Sequence, residues 1–252
     1  MPTRILGIVP ARFASSRFPG KALAVLAGKP MIQHVYERAS LSRYITRTLV
    51  ATDDERIASA VRRFGGEVRM TRVDHASGTD RLAEVASTES AELYVNVQGD
   101  EPLIDPEAID AAILSVWGDE AVSMATLKKQ IVDPDEITNP NVVKVVTGLT
   151  GDALYFSRSA IPHFRDAGRG VRAYFKHVGL YVYRRNFLVH YPDLDMGPLE
   201  RAERLEQLRA LENGYRIRVV ETDYESLGVD TPEDLERVNQ LFCQTAGAFE
   251  AE

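Results

Sequence analysis

The chain has 252 residues, 44% hydrophobic and 27% charged, with a formal net charge of −7. This composition excludes a disordered chain, the size suits one large α/β domain or a domain with an insertion, and the negative balance argues against general nucleic-acid or anionic-membrane binding. Cys243 is the only cysteine, Met1-Pro2-Thr3-Arg4 opens no signal-peptide apolar region, and no run approaches the ~18 apolar residues of a membrane span. An internal disulfide and a cysteine metal site are therefore excluded, and a soluble cytoplasmic protein is expected.

Ile5-Leu6-Gly7-Ile8-Val9 reads as a buried strand. It enters the loop Pro10-Ala11-Arg12-Phe13-Ala14-Ser15-Ser16-Arg17-Phe18-Pro19-Gly20-Lys21, where two guanidinium forks, one mobile ammonium, small residues and a glycine suit a polyphosphate. The P-loop pattern is absent, because Ser15 and Ala22 stand where a Gly and a hydroxyl are needed, and no Gly-x-Gly-x-x-Gly follows the strand. Met31, Ile32, Val35, Tyr36 and Ala39 recur at helical spacing. Thr48–Ala51 is a second strand, followed by a helix capped by Asp53 or Asp54 and stopped by Gly65-Gly66. Glu67–Met70 is a third strand. A helix capped by Ser77 or Thr79 leads to a fourth, Leu93–Val97, which runs into Gln98-Gly99-Asp100-Glu101-Pro102.

Strand and helix alternate four times over this half, which predicts a mostly parallel, doubly wound sheet. A strand order of 3-2-1-4 brings the cationic loop after Val9 beside the acidic loop after Val97, at the strand C-termini. Further elements are a helix over Pro106–Trp117, strands near 121–127, 142–147, 154–157 and 175–183, one amphipathic helix over 198–213, a strand over 217–220, and a last helix opening at Asp230-Thr231-Pro232 and fraying after Gly247. In that amphipathic helix Leu199, Leu205, Leu208 and Leu211 are expected inward. The second half is expected to build onto the same sheet.

Several residues carry both a chemical and a purely structural reading. Asp100 suits a hard divalent cation, or caps a turn. Ser77-Gly78-Thr79 suits a base edge or phosphate, or simply caps its helix. One of the flanking Arg72 and Arg81 serves a ligand and the other a surface pair. His177, Tyr181 and Tyr183 alternate onto one strand face that suits a polyhydroxylated substrate, although a strand histidine is more often a core residue. Arg158 is a candidate anion-binding cation, Glu200 matches a helix dipole, and Glu101 reads as solvated.

The loop through Gly20-Lys21, His75-Ala76-Ser77-Gly78-Thr79-Asp80-Arg81, Val95–Pro102, Asn139–Val146, Tyr155-Phe156-Ser157-Arg158, Leu205-Glu206-Gln207-Leu208-Arg209 and Gly228–Leu235 occur in this order. Together they resemble the 3-deoxy-manno-octulosonate (KDO) cytidylyltransferase family, over roughly residues 4–240. The resemblance implies a Rossmann-like nucleotidyltransferase fold with a doubly wound mixed sheet, in a single domain over 1–252. Its core spans about 1–130 and 200–245, with a substrate and dimerisation region over about 131–199. It implies transfer of CMP from CTP to the anomeric hydroxyl of KDO, release of pyrophosphate, Mg²⁺, a homodimer and a place in lipopolysaccharide synthesis. Pro10, Ala11, Arg12, Ser16, Arg17, Lys21, Arg72, Ser77, Gly78, Thr79, Gln98 and Asp100 would surround the nucleotide, with Arg12, Arg17, Lys21 and Asp100 catalytic. Gln98, Arg158, His177, Tyr181 and Glu200 would line the sugar pocket, and Asp100 and Asp230 would bind the metal. Between Pro162 and Phe175 the chain is shorter than the family pattern. An 8-amino analogue or a sialic acid is the alternative substrate, and a silent nucleotide-binding regulator the alternative class.

Overall fold

The computed structural model describes residues 4–14, 17–75, 77–165 and 173–249. Ser16, expected at the nucleotide, lies outside the described residues. The first half contains β1 (Ile5–Ala11), a small hairpin of β2 (Val25–Leu26) and β3 (Lys29–Pro30), α1 (Met31–Ala39), β4 (Arg47–Thr52), α2 (Glu55–Arg63), β5 (Val68–Met70), α3 (Gly78–Thr88), β6 (Leu93–Asn96), α4 (Pro106–Trp117) and β7 (Met124–Gln130). The second contains α5 (Pro134–Thr138), β8 (Lys144–Thr147), β9 (Ala153–Ser157), β10 (Phe175–Arg184), α6 (Arg185–His190), α7 (Pro198–Glu203), α8 (Gln207–Glu212), β11 (Ile217–Glu221) and α9 (Pro232–Phe249).

The main sheet runs β11-β7-β10-β6-β1-β4-β5, with β8 and β9 branching from β10. Its β5-β4-β1-β6 portion is parallel and has the expected 3-2-1-4 order. The side chains of β1 alternate between two apolar layers. Val9 and Ala11 pack with Ile32, Val61 and Ile113 of α1, α2 and α4, whereas Leu6 and Ile8 pack with Leu82, Leu188 and Leu208 of α3, α6 and α8. A strand covered on both faces explains the nearly continuous apolar run.

Beyond β6 the sheet changes hand of direction. β10 lies antiparallel between β6 and β7, and β11 adds parallel to β7. The strand expected over 121–127 starts later because Val122 N–H closes a turn on the Asp119 carbonyl at 3.0 Å. Local caps fix the helix starts. Asp54 caps α2, leaving Asp53 free to pair with the buried Arg81 at 3.1 Å. Ser77 caps α3 in a reciprocal box with Asp80.

Three expectations are corrected. The single helix over 198–213 is broken at Arg204, whose φ of 55° is left-handed. Leu199 and Leu205 are six residues apart, which puts them about 120° apart around one continuous helix, too far to share a narrow inward stripe. The break lets Leu205 turn inward at 6% exposure, while Leu199 stays 41% exposed. Glu101 is buried rather than solvated, at 7% exposure. Helix α9 continues to Phe249 instead of fraying after Gly247.

The close approach of the β1 and β6 loops depends on Gly99. A Cβ there would stand 2.7 Å from the Pro10 carbonyl oxygen, so a backbone must move to admit any side chain. Gly99→Ala is expected to cost about 1–3 kcal/mol by overpacking, read by chemical denaturation, and to lower turnover. Gly118→Ala, where nothing lies within 4 Å and φ is −90°, should change stability by less than about 0.5 kcal/mol.

Candidate active site

The cationic loop leaves β1 and folds back through Gly20, whose φ of 74° and N–H bond to the Phe13 carbonyl at 2.8 Å form a tight left-handed turn. The short 3-10 turn Lys21–Leu23 follows and directs Lys21 toward the end of β6. There the Lys21 ammonium donates to Asp100 at 2.6 Å, to Asp230 at 3.0 Å and to the Val229 carbonyl at 3.2 Å. Arg17, which is largely exposed, adds a second cation to Asp230 at 2.8 Å. Burial works against the Lys21 charge, and Asp100 and then Asp230 outweigh it, so its pKa lies above the ordinary 10.5. Arg12 donates to the His75 and Ser77 carbonyls at 2.7 and 3.1 Å, tying the loop to the entrance of α3.

Asp230 reaches this cluster from the far end of the chain because the segment before it is pinned under β6. Val229 N–H donates to the Asp100 carbonyl at 2.9 Å. The Glu101 carboxylate accepts from Tyr224 Oη at 3.0 Å and Ser226 Oγ at 2.7 Å. Burial pushes the Glu101 carboxyl up to about 7, against the Ser226 hydrogen bond and with help from the Asp100 charge. Asp230 itself does not cap α9. Thr231 Oγ1 accepts from Asp234 N–H at 3.2 Å, and the Asp234 carboxylate accepts from the Thr231 and Asp230 N–H groups at 3.1 Å. The Asp230 side chain is thus left to the cations.

Beside this cluster lies a cavity of about 250 Å³. β6 supplies Asn96 and the following Gln98, β10 supplies Gly179, Tyr181 and Tyr183, and the start of α3 supplies Gly78 and Thr79. The break between α7 and α8 supplies Arg204 to Gln207. Gln98 Nε2 donates to the Gly179 carbonyl at 3.1 Å, and Thr79 Oγ1 donates to Glu206 at 3.0 Å. Desolvation pushes the Glu206 carboxyl upward, opposed by that Thr79 hydrogen bond. Tyr181 stacks on Tyr183 with centroids 5.8 Å apart. Pro10 lies against Gly78, where an added Cβ would meet its ring at 3.9 Å. The two loops expected to surround a nucleotide are therefore neighbours.

The other candidates sit elsewhere. His177 Nε2 lies 2.9 Å from Thr126 Oγ1, whose own proton goes to the Leu180 carbonyl at 2.8 Å, so the ring nitrogen is the donor. Burial depresses the His177 pKa to about 4 and keeps the imidazole neutral. Arg158 directs its guanidinium to the carbonyls of Glu203 at 2.7 Å and Pro140 at 2.9 Å, where it clamps the end of β9 to α7. Glu200 is buried in a bidentate pair with Arg209 at 2.7 and 2.8 Å, on an adjoining cleft of about 560 Å³. Arg72 is exposed and pairs with Asp74 at 2.9 Å, outside both the carboxylate cluster and the cavity wall. Tyr183, read from sequence on the same face as Tyr181, lines the cavity, and so do Asn96, Glu206 and Gln207, which the sequence reading does not assign to the site. The usable signals were an Asn ending an apolar strand two residues before Gln98, and two polar residues inside the Leu205–Arg209 motif.

A family model described as cytidylyltransferase matches residues 6–217. Over 242 residues the chain is 68% identical to the 3-deoxy-manno-octulosonate cytidylyltransferase of Solibacter usitatus, covering 96% of each. The chain belongs to the 3-deoxy-manno-octulosonate cytidylyltransferase family. The Geobacter sulfurreducens member of the family is 60% identical, over 93% of this chain and 97% of its own. A solved structure of CMP:2-keto-3-deoxy-manno-octonic acid synthetase complexed with CTP matches with a TM-score of 0.92 at 47% identity, covering 96% of this chain and 100% of the other.

The His177 environment gives a pH prediction. Its folded pKa of about 4 lies below the ordinary 6.5, so the unfolded chain binds the proton first as pH falls. Stability from this group is complete above pH 6.5 and is lost progressively toward pH 4. His177→Gln should flatten the acid limb of a stability–pH curve in that window, by on the order of 2 kcal/mol. An unchanged slope in urea melts would show that the imidazole is not held neutral.

Proposed function

We propose that the chain transfers CMP from CTP to the anomeric hydroxyl of 3-deoxy-D-manno-octulosonate, giving the CMP-sugar and pyrophosphate for lipopolysaccharide synthesis. The observation that carries this reading is the convergence of Lys21 on Asp100 and Asp230, beside a polar, aromatic-floored cavity. In the reaction the sugar oxygen bonds to the α-phosphorus, the bond from that phosphorus to the bridging oxygen breaks, and pyrophosphate leaves. The hydroxyl proton is released as the oxygen attacks. Arg12, Arg17 and Lys21 hold the β- and γ-phosphates and stabilise charge on the departing group. Pro10, Ala11 and the Ser77–Thr79 segment fit the cytidine, where fixed backbone groups favour the N4 amino edge of cytosine over the reversed pattern of uracil.

Asp100 and Asp230 offer the hard oxygen donors that suit Mg²⁺, and the Lys21 ammonium already spans them, so the pair is built for a cation. Held by Asp100 and Asp230, the ion would supply positive charge that lowers the pKa of the attacking hydroxyl. Gln98 and Tyr181 belong to the sugar side of the site, with the neutral, aromatic face of β10 excluding water from the reacting oxygen. No helix among the described residues is long and apolar enough to cross a membrane. A cytoplasmic homodimer belongs to the same reading, on family resemblance, and sedimentation of the purified chain tests the dimer. A silent regulator would have no need of both carboxylates and all three loop cations.

Pyrophosphate release measured across CTP and UTP, each with 3-deoxy-D-manno-octulosonate or a sialic acid, should occur at high rate only for CTP with the octulosonate. Equal use of UTP would overturn the cytidine assignment, and preference for the sialic acid would overturn the sugar. Asp230→Asn tests the metal assignment. Because Thr231, not Asp230, caps α9, stability should hold while turnover falls by about 100-fold or more and the Mg²⁺ requirement shifts upward. Wild-type turnover with an unshifted Mg²⁺ titration would remove Asp230 from the site.

A further inference from the structure

Asn96 ends β6, on the sheet face it shares with Tyr94 and opposite Tyr181 of β10. The strand is otherwise apolar apart from the Tyr94 hydroxyl, and an aliphatic residue at this position would satisfy the burial at no polar cost. Asn96 is instead 2% exposed, and its Oδ1 has no hydrogen-bond partner. A buried acceptor left unpaired is unfavourable, and native structures retain few of them without a reason.

Its surroundings supply one. The residue lines the cavity of about 250 Å³ beside the carboxylate cluster. Three neighbouring polar groups are already committed. Thr79 Oγ1 donates to Glu206, Gln98 Nε2 to the Gly179 carbonyl, and Tyr191 Oη to the Glu206 carbonyl. Tyr183, stacked on Tyr181, lines the same wall. An amide also adds no negative charge to a wall that already holds Glu206, an advantage where the guest is an acid.

We propose that Asn96 is a specificity-determining residue whose amide oxygen accepts a hydrogen bond from a hydroxyl of the acidic sugar. The proposal rests on the reading of this cavity as the sugar site. Asn96 lies on the cavity wall, and a bound hydroxyl supplies the donor that its amide oxygen lacks. A sugar lacking that hydroxyl leaves the acceptor buried and unpaired, which is the arrangement that discriminates most strongly against the lesser substrate.

The test uses the purified full chain with CTP, the octulosonate and a series of analogues each lacking one hydroxyl. Asn96→Ala and Asn96→Ser should raise the KM for the sugar about 10- to 100-fold, leave the KM for CTP within about two-fold, and abolish the penalty that the wild type imposes on one analogue. An unchanged sugar KM, or retention of every analogue penalty, overturns the proposal. A parallel rise of both KM values with a lowered melting temperature also overturns it, by assigning Asn96 a purely structural role. Should neither variant fold, the wild-type series decides, because the absence of any single-hydroxyl penalty above about tenfold refutes a hydroxyl-reading acceptor. Gln98→Ala and Tyr181→Phe separate this outcome from failure of the site reading. If they too leave the sugar KM unchanged, the cavity is not the sugar site; if they raise it while the Asn96 variants do not, only the Asn96 assignment falls.

Discussion

One ammonium group joins parts of the chain that have no local reason to meet. Lys21, from the loop after the first strand, holds Asp100 after β6 and Asp230 before α9, the latter 209 positions away in sequence. Two carboxylates this close to each other repel unless a cation lies between them. The arrangement therefore requires positive charge at this spot, and its geometry follows from the sheet. Adjacent β1 and β6 bring two loops to one edge, and Gly99 leaves room for the Pro10 carbonyl where a side chain would not. Glu101, buried under Tyr224 and Ser226, then holds the segment that delivers Asp230.

The second half of the site comes from a strand that interrupts the parallel pattern. β10 returns antiparallel between β6 and β7, so the region after Gln130 does not stand apart from the core but supplies a strand within it. Its aromatic face carries His177, Tyr181 and Tyr183 in successive contact, with centroids 5.4 and 5.8 Å apart. Placing this face next to β6 makes a cavity with a rigid floor on one side of the carboxylates. Rigidity matters because transfer to a phosphorus depends on how closely the attacking oxygen is positioned.

One wall of that cavity comes from the broken helical run over 198–212. Arg204 adopts a left-handed conformation that a non-glycine residue rarely takes, and it separates α7 from α8. The break is braced from both sides. Arg158 binds the Glu203 carbonyl, and Tyr191 binds the Glu206 carbonyl at 3.0 Å. The consequence is that Glu206 and Gln207 turn toward the cavity, which an unbroken helix with its leucine seam inward would not allow.

By itself the sequence determined those features that rest on local chemistry. The apolar run of β1, the helix over Pro106–Trp117 and the order of the first parallel strands all follow from periodicity and the handedness of crossovers. The ordered motifs identified the family as well. Tertiary structure alone decided what each polar side chain does once placed. Nothing near Arg158 in sequence says that its fork goes to backbone carbonyls of residues 140 and 203, nor does the neighbourhood of Glu101 say that the chain's last third will bury it. Likewise the unpaired oxygen of Asn96 exists only because β10 and the α7–α8 break close over it. Periodicity and turn propensities act over a few residues, whereas burial, desolvation and hydrogen-bond partnership are set by neighbours that arrive from tens to hundreds of positions away.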